Sequence, residues 1–440
     1  MSYTKKLNQL LQKHKITPKK RVVFLLGAGA ARIWAEAPSS NDLMNKLLND
    51  TYYRDTIQGL SIPQYIKNIL DSKFSYGVNF ETIIAFLEEV LNYSISELNQ
   101  PSDPAIDSIL PFIFQFNEVI NDLNDYRLIG NNSDNQNGEE LNYYFSPRST
   151  ENLISASERN IKQICFRNML VRYLGLISSS ISHYDSYYPQ EEEINQQLGS
   201  FIQFLHSKNN ITRFYTTNYD RKLPNLFKDL KIFDGFNDYY SAGYERNWHP
   251  ADLKRITEDR NCITYYNLHG CINWHERLSS SSLFSEYFCN PHQCDNYQIY
   301  SSQNQTNPGQ KLFASNIITG YNKSQRITIS PFNHLFNSFY TDLAHADTVI
   351  IIGYSLNDPH LNGILKNNIT CGNPKVIYID MFEGDSIPDK LDKCLFGRNN
   401  YKLDNPIKEG GWFLSQDKSQ CVFQEGFAEF LNDKSNWHFI

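Results

Sequence analysis

The chain has 440 residues, of which 40% are hydrophobic and 14% aromatic, ample for a sizeable core, so a wholly disordered protein is excluded. Its 41 Lys and Arg against 48 Asp and Glu give a formal net charge of −7, which argues against direct nucleic-acid binding over a broad surface. The longest apolar stretches, Val22–Ala31 and Val349–Gly353, fall well short of the roughly 18 residues that a membrane span requires. Met1 to Lys20 is polar and lysine-rich, with no apolar signal core behind it. A cytoplasmic protein with no membrane partner is expected, its 8 cysteines reduced.

In chain order, residues 1–20 read as a polar helix and a lead-in. Val22-Val23-Phe24-Leu25-Leu26 is a continuous apolar run with β-branched members, suited to a strand covered on both faces of a parallel sheet. Gly27-Ala28-Gly29-Ala30-Ala31 stops it, and a helix should begin nearby. From about 51 to 206 the pattern is mostly helical, with Phe80, Ile83, Ile84, Leu87 and Val90 at helix spacing and a long periodic stretch from Leu153 to Ile181. An Asn-rich break between Asp122 and Gly138 reads as an exposed loop. Strand signals return at Ile211–Thr216, Thr264–Leu268, Thr348–Gly353 and Lys375–Asp380, with a helical pattern between the last two. Strands alternating with helices predict an α/β fold with a parallel sheet. Residues 277–325 are rich in Ser, Asn and Gln and read as an irregular insertion. Residues 381–440 make an extension too short for a second full domain.

Four motifs sit where strands end. Gly27-Ala28-Gly29 lets the backbone approach a phosphate closely, although the third glycine of the dinucleotide fingerprint is missing. Thr216-Thr217-Asn218-Tyr219-Asp220 places hydrogen-bonding side chains at a carboxyl strand end, where open sheets bind ligands. Asn267-Leu268-His269-Gly270 offers a candidate general base. In Gly353-Tyr354-Ser355-Leu356-Asn357-Asp358-Pro359-His360, Gly353 permits close backbone approach and Ser355 can donate to a phosphate. Asn357 or Asp358 can cap the following helix. Each motif alone also suits an ordinary turn, a helix cap or a structural histidine.

Taken together, in this order and setting, the motifs resemble the sirtuin-like family. The resemblance rests on Gly27-Ala28-Gly29, Thr217-Asn218-Tyr219-Asp220, Leu268-His269-Gly270 and Gly353-Tyr354-Ser355. It implies a Rossmann-like parallel sheet with a large helical insertion. Residues 1–50 would be the start of the core, 51–206 the insertion, 207–380 the remainder with the irregular segment at about 277–325, and 381–440 a C-terminal extension. The resemblance further implies NAD⁺ as substrate. Gly27, Ala28 and Gly29 would line the pyrophosphate, with Gly353 and Ser355 also on the phosphates. Thr217 would lie in the cofactor pocket, and Asp380 would hold the adenosine ribose. Asn218 would contact the nicotinamide ribose or position a water, Asp220 would support that pocket, and His269 would be the general base.

The departures from the family are informative. Deacylases of the family usually carry two Cys-X-X-Cys pairs, whereas Cys289-Asn290-Pro291-His292-Gln293-Cys294 has the wrong spacing and no second pair. Cys262 and Cys271 flank the His269 strand, and no bound metal is expected. Arg32-Ile33-Trp34-Ala35-Glu36-Ala37-Pro38 also differs from the deacylase loop and is more similar to bacterial sirtuin-like proteins of antiviral systems, which hydrolyse NAD⁺. That branch implies an abortive-infection effector, a homo-oligomer, and restraint by a partner such as a sensor subunit or a HerA-type ATPase. An NAD⁺-dependent deacylase or ADP-ribosyltransferase, and a non-catalytic NAD⁺ or ADP-ribose sensor, stay open as other readings.

Overall fold

The computed structural model describes residues 19–50, 56–57, 59–73, 78–87, 158–185, 188–208, 210–227, 232–237, 246–248, 263–278, 285–290, 317–318, 327–328, 330–396 and 402–440. These group into two compact units, one drawn from Met1–Ala37, His183–Cys271 and Arg326–Ile440, the other from Pro38–Ser182 and Ile272–Gln325. The lead-in over residues 1–18 and the Asn-rich break lie outside the described residues.

The first unit is an α/β structure built on nine strands. In chain order these are β1 (Arg21–Leu26), β2 (Ile211–Thr216), β3 (Ile232–Phe233), β4 (Ile263–Asn267), β5 (Thr348–Ile352), β6 (Lys375–Ile379), β7 (Ile407–Glu409), β8 (Trp412–Leu414) and β9 (Gln420–Phe423). They lie in the order β7-β8-β9-β6-β5-β1-β2-β4-β3. Every pair from β9 to β3 is parallel, and only β7–β8 and β8–β9 are antiparallel. All six residues of β1 and of β2 are buried, as the continuous apolar run of β1 requires of a strand covered on both sides.

Among the described residues, helices accompanying the sheet include α1 (Glu192–Ser207), α2 (Lys222–Leu226), α3 (Phe332–Ala344), α4 (Pro359–Gly372) and α5 (Gly426–Asn432). From β1 the chain moves through α1 to β2, and from β5 it moves through α4 to β6 in the opposite direction. Right-handed crossovers then put α1 and α4 on opposite faces. The packing of α1 and α3 shows two such faces. Phe24 of β1 stacks on Phe214 of β2 at 4.5 Å and meets Phe201 of α1 edge-on at 6.2 Å. Tyr215, the next residue along β2, turns to the other face and meets Phe339 of α3 at 4.7 Å. Within α3 the buried Asp342 accepts from the Tyr215 hydroxyl at 2.6 Å and pairs with both Arg21 at 3.2 Å and Arg213 at 3.4 Å, one carboxylate between two guanidinium groups.

Two local features differ from expectation. The segment directly after the glycines is a short 3₁₀ segment, Ala28–Ile33, and the α-helix expected nearby starts at Ser40. Gly27 has no side chain with which to cap an α-helix, and the Ala30 N–H donates back to the Gly27 carbonyl at 3.0 Å. The C-terminal extension does not stand apart from the core. It contributes β7, β8 and β9, and β9 pairs with β6 from Val376↔Gln420 to Ile379↔Phe423. Strands of three or four residues are too short to give a period, and Trp412, Phe413, Val422 and Phe423 are buried on both faces of this part of the sheet.

The described part of the second unit is mainly helical. Helix Ser40–Leu48 starts on a capping box: the Ser39 hydroxyl accepts from the Asp42 N–H at 3.1 Å, and the Asp42 carboxylate accepts from the Ser39 N–H at 2.8 Å. Helices Ile62–Lys73 and Glu158–Asp185 follow, the last turn of the latter, from His183, lying in the first unit. Arg172 pairs with Asp50 at 3.0 Å and Lys46 donates to Ser180 at 2.8 Å. Phe80, Ile83, Ile84 and Leu87 are buried, as their spacing predicts, while Val90 lies outside the described residues. Residues 272–325 belong to this unit, and their described part includes the antiparallel hairpin Trp274–Leu278 with Ser285–Cys289. Among the described residues no helix is long and apolar enough to cross a membrane.

Candidate active site

Parallel register brings the motif residues into one line. Leu26 faces Thr216 and Ile352, Thr216 faces Asn267, and Ile352 faces Ile379. One residue further on, Asp380, Gly353, Gly27, Thr217 and Leu268 form a ledge along the carboxyl edge of the sheet. The ladder extends into it. The Gly353, Gly27, Thr217 and Leu268 N–H groups donate to Ile379, Ile352, Leu26 and Thr216 at 2.8, 2.9, 3.0 and 2.9 Å. Five strands at about 4.8 Å spacing make the ledge about 19 Å long. Its middle, between β1 and β5, is where the strand order reverses, the place at which open α/β sheets bind ligands.

At this switch point the two glycine turns interlock. The Gly29 N–H donates to the Gly353 carbonyl at 2.8 Å. A Cβ on Gly27 would lie 2.5 Å from the Gly353 oxygen, and one on Gly353, whose φ is +57°, would lie 2.1 Å from the Ala30 nitrogen. The glycines therefore serve first to let the two loops touch. Ala28 is exposed beside them. Among the described residues nothing accepts from the Ala28 N–H, so it is available to an anionic ligand.

Asn218 stands next to this pair. Its side-chain amide donates to the Gly27 carbonyl at 3.1 Å, and its own N–H donates to the Thr216 hydroxyl at 3.0 Å. The buried Asn267 holds the turn from behind, its amide donating to the carbonyls of Asn218 at 2.9 Å and Asp220 at 3.0 Å. Thr217 is half-buried, with its hydroxyl 3.5 Å from the Leu26 carbonyl. Asp220 faces inward. It is buried, and its carboxylate accepts from the Lys222 N–H at 2.9 Å at the start of α2.

Behind Asp220 lies a group of charges that sequence inspection did not single out. Lys222 is buried, pairs with Glu191 at 2.8 Å and lies over the rings of Trp34, Tyr184 and Tyr188. Burial pushes the Asp220 carboxyl above the ordinary carboxylate range. Burial, and then the charge of Asp220, push Asp185 up to about 7. A carboxyl raised in the folded state binds its proton more tightly there than when unfolded. Its contribution to stability therefore falls as pH rises from the ordinary carboxylate range toward 7. Asp185→Asn keeps an acceptor for the Arg221 N–H, now 3.2 Å from the carboxylate, and removes the charge. It is expected to stabilise the protein at pH 8 by roughly 1 kcal/mol or more, with little effect near pH 4. Denaturant melts at the two pH values check this.

His269 lies just beyond Leu268, and Gly270, at φ +84°, turns the chain after it. The His269 Nε2 is 3.1 Å from the Asp358 carboxylate, and both side chains are buried. Asp358 is also the N-cap of α4, its other oxygen accepting from the His360 and Leu361 N–H groups at 3.0 and 3.3 Å. The ends of β5 and β4 are three strand spacings apart, about 14 Å. Residues 353–358 thus reach across the ends of β1 and β2 to meet His269. This Asp358 contact was not foreseen. The local signal was a helix cap, and its partner is remote in sequence.

Ser355 is exposed on this crossing loop, and Lys390 donates to its carbonyl at 2.7 Å and to the Asn357 side chain. At the far end of the ledge Asp380 accepts from the Tyr378 hydroxyl and the Met381 N–H, both at 2.9 Å. Burial raises its carboxyl above the ordinary range. Among the described residues no group of three or more His, Cys, Asp or Glu could hold a metal ion. Cys271 and Cys289 are buried thiols, and Cys262, His292 and Cys294 lie outside the described residues.

Residues 212–396 match the family model of the SIR2-like domain. The chain carries a SIR2-like domain. The matched span begins in β2 and ends beyond β6, so it contains Asn218, His269, Gly353, Asp358 and Asp380. The Gly27–Gly29 turn precedes the span in sequence but joins it through the β1 ladder. The SIR2-like domain points to an NAD-dependent enzyme of the sirtuin superfamily. No curated protein matches the chain.

Proposed function

We propose that the protein is an NAD⁺ glycohydrolase, releasing nicotinamide and ADP-ribose, and that it depletes NAD⁺ as an abortive-infection effector of antiphage defence. The observation that carries the chemistry is the line of Asp380, Gly353, Gly27 and Asn218 along one sheet edge of a SIR2-like domain, with His269 beside it. An extended dinucleotide would lie along this ledge with its adenosine at Asp380. Its pyrophosphate would lie over Gly27–Gly29 and the Ser355 loop, and its nicotinamide ribose at Asn218.

His269 would take a proton from water as the water oxygen bonds to the anomeric carbon. The glycosidic bond breaks with its electron pair going to the pyridinium nitrogen, so nicotinamide leaves neutral. The transition state is oxocarbenium-like, and the Asn218 side chain, braced by the Gly27 carbonyl, would sit beside the developing charge. Expulsion of bulk water would strengthen both contacts. A toxic hydrolase must be restrained in healthy cells, so the homo-oligomer and the sensor or HerA-type partner belong to the same proposal.

The test is product analysis of NAD⁺ incubated with the purified chain, alone and with the product of a neighbouring gene. Nicotinamide plus ADP-ribose supports the hydrolase. Nicotinamide released only with an acyl-lysine peptide would indicate a deacylase. Thermal stabilisation by NAD⁺ or ADP-ribose, without turnover in any condition, would indicate a sensor. Asp380→Ala is expected to raise the KM for NAD⁺ about tenfold with kcat within about twofold, because the adenosine end binds ground and transition states alike. Steady-state kinetics check it.

A further inference from the structure

We propose that Asp358 is the positioning residue for His269, setting which ring nitrogen accepts the proton and favouring the protonated ring that results. The inference rests on the reading of His269 as the general base. One Asp358 oxygen is anchored by two N–H groups at the start of a 14-residue helix, so the carboxylate is fixed in place. The other oxygen lies 3.1 Å from Nε2, with side-chain exposures of 5% for His269 and 8% for Asp358. An anion at the positive end of a helix remains ionised readily. A carboxylate at this distance from Nε2 makes that nitrogen the N–H donor and leaves Nδ1 as the proton acceptor. The proton taken from water goes to Nδ1. Asp358 takes none and stabilises the imidazolium by its charge, as the carboxylate does in other His–acid pairs.

Two features of the chain support the assignment. Pro359 at the first helical position and the cap geometry fix the direction of the Asp358 side chain before any ligand arrives. Leu356, at φ 58° and buried, holds the crossing loop in a left-handed conformation that a non-glycine residue adopts only under constraint. Asp358, from α4, meets His269 across the fold, and the buried Cys271 lies two residues further along its own loop.

Asp358→Asn separates the two duties of the side chain. Asparagine caps helices as well as aspartate does but carries no charge. Asp358→Ser also caps but is too short to reach the ring, and Asp358→Glu keeps the charge. With the full-length chain, kcat for nicotinamide release is expected to fall tenfold or more in the Asn and Ser variants, with KM within about twofold and partial recovery in the Glu variant. The His269 resonance, identified among the 11 histidines by its loss in His269→Gln, is expected to titrate about one unit or more lower in Asp358→Asn. Melting temperatures of the Asn and Ser variants should stay within about 3 °C of wild type. Wild-type kcat together with an unmoved His269 titration in Asp358→Asn would overturn the proposal. If the wild type turns over no NAD⁺ under any condition, the hydrolase reading fails separately. The titration then decides: a moved resonance supports the pairing and an unmoved one rejects it.

Discussion

Replacing His269 with glutamine is expected to lower NAD⁺ turnover at least 100-fold while leaving the protein folded. The size follows from the loss of a general base, which typically contributes 10²–10⁴-fold. Glutamine is the informative choice because it keeps a side-chain N–H that can reach the Asp358 carboxylate, now 3.1 Å from Nε2. Alanine would instead leave that buried carboxylate without this partner, so its effect would mix chemistry with stability. Asn218→Ala should cause a comparable loss for another reason: it removes the amide proposed to stand beside the reacting carbon and frees the Gly27 carbonyl that this amide now holds at 3.1 Å. Turnover by both variants at the wild-type rate, measured as nicotinamide release under conditions where the wild type is active, would refute the assignment. A change in KM alone would also speak against it, since a base acts on kcat.

Gly353→Ala is expected to be among the most destabilising single substitutions in the chain, by roughly 3 kcal/mol or more. The added Cβ would lie 2.1 Å from the Ala30 nitrogen and 2.2 Å from the Gly29 carbonyl carbon. Both are backbone atoms held by the Gly29 N–H bond to the Gly353 carbonyl, so no side chain can move to make room. The φ of +57° adds its own strain for any L-residue. The change would also part the two loops at the switch point, so NAD⁺ binding should fail with stability. Gly363 is the matched control. It lies within α4, a methyl group added there would meet nothing within 4 Å, and Gly363→Ala should stabilise the protein by about 0.5–1 kcal/mol. Chemical denaturation of the two variants side by side checks both signs.

The parts of the fold that were legible beforehand are those with a strong local cause. Strands β1, β5 and β6 are continuous apolar runs after their first residue, and only a strand covered on both faces tolerates such a run in so short a segment. The cap at Asp358 was legible as one of two candidates because Asp-Pro-His precedes a helical pattern. The short strands β7, β8 and β9 were not, since three or four residues carry no period and their pairing partner β6 is remote in the chain. The 3₁₀ segment after Gly27 was missed because its length is set by contact with Gly353 and not by its own alanines, which favour an α-helix. Lys222 and Asp185 escaped notice for a related reason: a charged residue looks solvated in sequence, and only packing shows that Glu191, Arg221 and three aromatic rings enclose them.

By itself the sequence determined where strands β1, β2, β4, β5 and β6 end, to within a residue, and what chemistry stands there, because turn residues and side-chain functional groups are local properties. It therefore placed glycines, an asparagine, a histidine and an acid one or two residues beyond the ends of strands. The tertiary structure alone decided which ends are neighbours. Strand order and register are set by backbone hydrogen bonds between segments far apart in the chain, and those bonds carry no side-chain signature. They bring Gly27 against Gly353, align Asp380 with Leu268 along one edge, and carry the β5 loop over two strand ends until Asp358 meets His269.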